Sequence, residues 1–183
     1  MKQTRITLDV ISNDLEKAEV RAAALISGKS PAQLNWRPEG RRWSILQCLQ
    51  HLALANEVLG DLMETAVTEG KHVGPASDEL TPNWLWRMLL AAVDRPGLKG
   101  FAPQRIQPPS MLDAETTVAE LLSTHNRLRS LAGRCVGLDL SRITFRHPFL
   151  PLRISVATTF LLISAHERRH LRQAEQVAAA EPT

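Results

Sequence analysis

Three histidines stand where they could share a metal ion: His51 in one apolar stretch, and His166 with His170 in another. Within Ser164-Ala165-His166-Glu167-Arg168-Arg169-His170 the two imidazoles are spaced i and i+4. A helix rises ~1.5 Å and turns ~100° per residue, so they lie one turn apart on one face, the separation that two ligands of one ion need. Three neutral imidazoles and an open position make a catalytic arrangement for zinc, and the same donors suit nickel or iron. His51 alone, among Leu49, Leu52, Leu54 and Ala55, reads first as a satisfied core histidine. The pair on the other stretch sets a shared core site against that reading, because facing helices of a bundle project ligands inward.

The same run spells H-E-x-x-H, the pattern of zinc proteases. A protease needs a third ligand beyond the motif. No histidine follows His170, and Gln173 stands where the extended metalloprotease motif has glycine. Glu175 falls on another helix face and Glu181 lies in the tail, while no strand is evident to hold a peptide. Peptide hydrolysis is therefore disfavoured.

Around the last helix, Ser155, Thr159, Leu162, His170, Gln173 and Val177 fall within about 40° of His166. Arg168, Arg169 and Arg172 are predicted on the far side, facing solvent. An inward stripe of His, Ser, Thr and Gln suits a pocket better than a core, which makes Ser155, Thr159 and Gln173 candidate substrate contacts. Glu167 could orient a ligand or shuttle a proton, although a solvated helix-face glutamate is the plainer reading. Arg41 and Arg42, beside the start of the second helix, are candidates for a carboxylate or ordinary surface charge. Cys48 and Cys135 form no CxxC and read as core residues, Cys48 one turn before His51. His125 reads as a surface or core residue, His72 as solvated in a loop, and His147, before Pro148, as structural in the loop leading to the last helix.

Four long helices must position these groups. The first is predicted from about Thr7 to Ser27, with Ile11, Leu15, Ala18, Ala22 and Leu25 at helical spacing and Gly28 ending it. Ser30-Pro31-Ala32-Gln33 is a capping box with proline at the first helical position, opening a short turn. A second box, Ser44 with Gln47, opens the second helix, which runs to Gly70. A proline-rich connection from 70 to 112 holds a short helix, Asn83 to Ala92, and has the length of a lid or binding loop. The third helix is predicted to start near Thr116-Thr117, with Thr117 to Glu120 as its box, and to end around Gly137. The fourth spans roughly Ile154 to Ala179, and only Ile143 to Phe149 looks extended. The expected fold is a single all-α domain, a four-helix bundle with a long loop-rich connection between helices two and three.

Composition limits the partners. The 183 residues carry a net charge of +3 with scattered arginines, four Trp, four Phe and no Tyr, which is no nucleic-acid footprint. The most apolar segment, Ile154 to Ala165, is too short to span a bilayer, and no hydrophobic leader follows Met1. A cytoplasmic protein acting on a small molecule is expected.

Leu34-Asn35-Trp36-Arg37-Pro38, followed by Trp43-Ser44-Ile45 leading to His51-Leu52-Ala53, resembles the opening of the DinB/YfiT-like superfamily. His147-Pro148-Phe149, followed by His166-Glu167-Arg168-Arg169-His170-Leu171-Arg172-Gln173, is similar to its closing helix. One departure is Leu150-Pro151, where a glycine usually follows the His-Pro element. The resemblance implies a four-helix bundle, often a homodimer, with a divalent metal on His51, His166 and His170. The superfamily includes thiol-dependent transferases, such as bacillithiol transferases and a mycothiol-dependent maleylpyruvate isomerase. The leading expectation is a thiol S-transferase joining a low-molecular-weight thiol to a small electrophile. Its rivals are metal-assisted hydrolysis and a non-catalytic metal-binding or regulatory dimer.

Overall fold

The computed structural model describes residues 6–38, 42–70, 79–95 and 102–181. Helix α1 (Leu8–Ile26) buries Ile11, Leu15, Ala18, Ala22 and Leu25, the spacing read from the sequence. Gly28 follows it at φ +71°, a left-handed conformation that stops a helix cheaply only at glycine. Both early capping boxes form: Ser30 with Gln33 opens α2 (Pro31–Asn35), and Ser44 with Gln47 opens α3 (Ile45–Glu69). Helix α4 (Trp84–Val93), capped by Asn83, and one 3₁₀ turn at Gln104–Ile106 precede α5 (Ala114–Arg134). Strands β1 (Thr144–Arg146) and β2 (Arg153–Ser155) pair antiparallel with Phe145 opposite Ile154, and the chain enters α6 (Val156–Ala180).

Two helix starts differ from expectation. The third long helix begins three residues earlier than Thr117, because the Asp113 carboxylate accepts both the backbone N–H and the hydroxyl of Thr116 and takes the cap. Thr117 then lies inside the helix with its hydroxyl buried and unpartnered. The fourth begins after Ser155, since Ile154 and Ser155 extend along β1 before the chain turns helical.

Helix α3 packs against α5 and α6, and so does α1, which leaves α1 diagonal to α3 and α5 diagonal to α6. The interior is apolar in two layers. One gathers Ile11, Leu15, Met63, Leu128, Leu131, Phe160 and Ile163. The other gathers Leu25, Leu46, Leu49, Leu52, Leu121, Leu171 and Val177. Between them, every long helix contributes a polar residue to one level: Glu19, Asn56, His125 and Glu167. No described helix is long and apolar enough to cross a membrane.

The arginines predicted to face solvent instead hold α4 against α6. Arg172 donates to the Asp94 carboxylate at 2.7 Å and the Asp94 carbonyl at 2.8 Å, and Arg169 donates to the Val93 carbonyl at 3.1 Å. Arg168 reaches both Asp94 and Asp14. The last carbonyls of a helix lack intrahelical partners and carry its negative dipole end, so cations belong there. Partial burial raises the Asp94 pKa, but the Arg172 and Arg168 contacts outweigh it and hold the carboxyl below its usual range. Asp94→Ala is expected to cost about 1 kcal/mol, the modest value of half-exposed pairs, read as a lower urea midpoint at constant slope.

Candidate metal centre

His51 projects from α3 toward His166 and His170 on α6. Its Nδ1 lies 2.7 Å from the Ile106 carbonyl, and a carbonyl only accepts, so Nδ1 carries the hydrogen and Nε2 keeps its lone pair. That Nε2 faces the Nε2 of His166 at 3.1 Å. The three ring centroids lie 4.9, 4.5 and 4.5 Å apart, edge to face. One nitrogen from each ring falls within a group whose members are all within 4.8 Å, and it is the one such cluster of His, Cys, Asp or Glu among the described residues.

Burial disfavours charge on all three rings. His51 is held below its ordinary range mainly by burial, with the Arg169 charge acting the same way. Burial, then His170 and His51, push His166 well down. His170 is pushed down to about 3 by burial, then by His51 and Arg169, while Gln173 acts in the opposite sense. Although Gln173 is near, His170 Nδ1 makes no hydrogen bond of ordinary geometry.

These residues fit a divalent ion. Two ligands on bonds of ~2.0–2.1 Å at a tetrahedral angle stand about 3.3 Å apart, close to the His51–His166 separation. Neutral rings with lone pairs turned toward one another are what coordination requires. The Ile106 carbonyl on His51 Nδ1 is the outer contact that orients metal-binding imidazoles. Trp43, just before the Ser44 cap, lies 4.6 Å from His51 and 5.6 Å from His170 between centroids and walls one side.

The remaining candidates divide. Glu167 is not a solvated surface residue: it is 2% exposed, and Oε1 accepts from Asn56 Nδ2 at 2.8 Å and faces His125 Nε2 at 3.1 Å. It points to the bundle centre because α5, diagonal to α6, closes that side. Gln173 belongs with the cluster through His170. Ser155 and Thr159 do not: Ser155 caps α6, the Thr159 hydroxyl donates to the Ser155 carbonyl, and they sit roughly 10–16 Å along the helix from His166. Arg42 is exposed and its carbonyl accepts from Arg37. Arg41 and His72 lie outside the described residues.

His125 is a core residue, fully buried, with Nδ1 3.2 Å from Glu19. His147 is structural as expected, its Nδ1 accepting from the Phe149 N–H and its ring stacked on Trp86. Cys48 is buried and its thiol pushed far up by desolvation, the behaviour of a core cysteine. The Ile106 carbonyl had no side-chain signal in the sequence. Trp43 had one, its place directly before a capping box, but nothing there aims an indole at two imidazoles.

A pH dependence follows. Because the folded rings resist protonation, the unfolded chain binds more protons below its own histidine pKa of about 6.5, and stability is lost as pH falls through that value toward 3. Thermal melts of chelator-treated protein are expected to show Tm dropping between about pH 7.5 and about pH 5. A flat Tm over that window would mean that the rings are not buried as neutral groups.

Among curated proteins, none matches this chain. Among solved structures, YfiT from Bacillus subtilis, described as a probable metal-dependent hydrolase with an unusual four-helix bundle topology, superposes with a TM-score of 0.64. The match covers 98% of this chain and 92% of that one at 17% identity, so it shows a shared fold. The family model of the DinB superfamily matches residues 14–174, which include all three histidines. The chain belongs to the DinB superfamily.

Proposed function

We propose that this chain is a metal-dependent enzyme acting on a small molecule, and that it joins a low-molecular-weight thiol to a small electrophile. The observation that carries this reading is three converging neutral imidazoles with no carboxylate among them. A divalent ion bound there, zinc, nickel or iron, supplies Lewis acidity that favours the deprotonated form of a thiol or of water. His51, His166 and His170 hold the ion, and the Ile106 carbonyl fixes the His51 ring. Trp43 covers two of the rings and keeps water from that side.

Glu167 Oε1 is engaged by Asn56 and His125 and ties α6 to α3 and α5, while its Oε2 is buried without a hydrogen-bond partner. A water nucleophile gains from a carboxylate that takes its proton, whereas a thiol, with a pKa of about 8.5, starts far more acidic. Hydrolysis is the second reading, favoured by the likeness to YfiT.

Incubation of metal-loaded protein with a simple thiol and a chromogenic aryl halide or ester, followed by product mass, tests the two. A thioether or thioester conjugate supports transfer. Free acid from the ester, or phenol from the aryl halide, without conjugate supports hydrolysis and overturns transfer. No turnover above the His51→Ala background overturns both.

A further inference from the structure

His170 Nδ1 is buried and has no hydrogen-bond partner of ordinary geometry among the described residues. A buried ring nitrogen left so is costly, because it has given up water and gained nothing in return. His51 shows how the fold meets the same need across the cluster. There the Ile106 carbonyl takes the Nδ1 hydrogen and leaves Nε2 its lone pair. Metal-binding imidazoles almost always hold such an acceptor on the nitrogen turned away from the ion. His170 needs one at Nδ1.

Gln173 is the residue placed to supply it. It follows His170 by three positions on α6, and residues three apart on a helix are side-by-side neighbours. Helical side chains lean toward the N-terminus, so the half-buried Gln173 side chain covers the turn that bears His170. Its influence on the ring has the sign of an amide oxygen turned toward it. Gln173 favours the protonated ring, whereas burial, His51 and Arg169 oppose it.

Resting on the metal-centre reading above, we propose that Gln173 is a positioning residue for the metal rather than a substrate contact. Its side-chain oxygen accepts the His170 Nδ1 hydrogen and so holds that ring with Nε2 free to coordinate. A neutral imidazole has two tautomers, and only the one with its hydrogen on Nδ1 offers Nε2 as a metal ligand. An acceptor at Nδ1 selects that tautomer, fixes the ring orientation and raises the basicity of Nε2. Gln173 then does for His170 on α6 what the Ile106 backbone does for His51 on α3. The competing arrangement, in which Nδ1 itself meets the ion, needs no acceptor there and makes Gln173 irrelevant to metal affinity.

Zinc affinity, measured by competition with a chromogenic chelator for wild type, Gln173→Leu and Gln173→Glu, tests this. Thermal melts of the metal-free proteins report folding separately. Gln173→Leu keeps the bulk and removes the acceptor, and is expected to bind zinc about 10–100-fold more weakly than wild type. Gln173→Glu supplies a stronger, charged acceptor and is expected to bind zinc more tightly than wild type. That rescue is one that a merely space-filling role for Gln173 would not give, and it decides the question alone if the leucine variant does not fold. Wild-type affinity in Gln173→Leu, or weakened binding in Gln173→Glu, would overturn the proposal while leaving the metal centre standing. A wild type that takes up no zinc overturns the metal reading and this proposal together, so the two failures are told apart in the same titration.

Discussion

Replacing Glu167 with alanine is expected to destabilise the protein by about 3–5 kcal/mol, the cost of removing one partner from a buried charged network. The carboxylate sits at the level where the two apolar layers meet, joined to Asn56 on α3 and facing His125 on α5. His125 in turn faces Glu19 on α1, which also receives Arg129 at 2.6 Å. All four long helices therefore meet in one polar network, in which this carboxylate joins α6 to α3 and α5 and His125 extends the chain of contacts to α1. Alanine leaves the Asn56 amide and a ring nitrogen of fully buried His125 without acceptors and opens a void around them. Glu167→Gln keeps the volume and one acceptor oxygen and is expected to cost markedly less. Urea unfolding of both variants checks this, and a loss under about 1 kcal/mol for Glu167→Ala would mean that the carboxylate is solvated after all. Because Asn56 lies five residues past His51 and Glu167 directly after His166, the same bond sets the register that brings the two rings together.

The second large effect concerns the ligands. Wild type is expected to gain about 4 kcal/mol from a divalent ion supplied at about 1,000 times its dissociation constant. His51→Ala and His170→Ala are expected to lose nearly all of that gain, since either leaves two ligands. The metal-free forms provide the control. His51→Ala also strands the Ile106 carbonyl, which costs about 1–3 kcal/mol with no metal present. Only the difference between melts with and without metal reports coordination. A variant that gained as much from metal as wild type would remove its histidine from the ligand set.

Helical spacing made much of this visible in the sequence. Ile11 through Leu25 gave the buried face of α1, and Ser30 and Ser44 marked helix starts because serine followed by glutamine satisfies two exposed backbone N–H groups. The His166–His170 spacing placed two candidate ligands on one face, and His51 was the partner that a facing helix could offer. What stayed hidden depends on neighbours distant in the chain. Glu167 is about 100° from His166 around α6, an angle that means solvent on a two-sided helix and the bundle centre when another helix closes that side. Arg168, Arg169 and Arg172 looked exposed for the same reason, because nothing in their own helix announces that the end of α4 lies against them. The Thr117 box lost to Asp113, a competing cap whose carboxylate bonds two groups of Thr116. The Ile106 carbonyl is backbone, invisible to any reading of residue types.

Metal content of untagged protein, measured by mass spectrometry for wild type and for His51→Ala, His166→Ala and His170→Ala, tests the metal centre most directly. About one equivalent of a divalent transition metal in wild type, lost in each variant while the fold is retained, is the expected result. A wild type that is folded and metal-free, and that gains no thermal stability from added zinc or nickel, would contradict it and leave the three histidines as a buried polar cluster of the bundle.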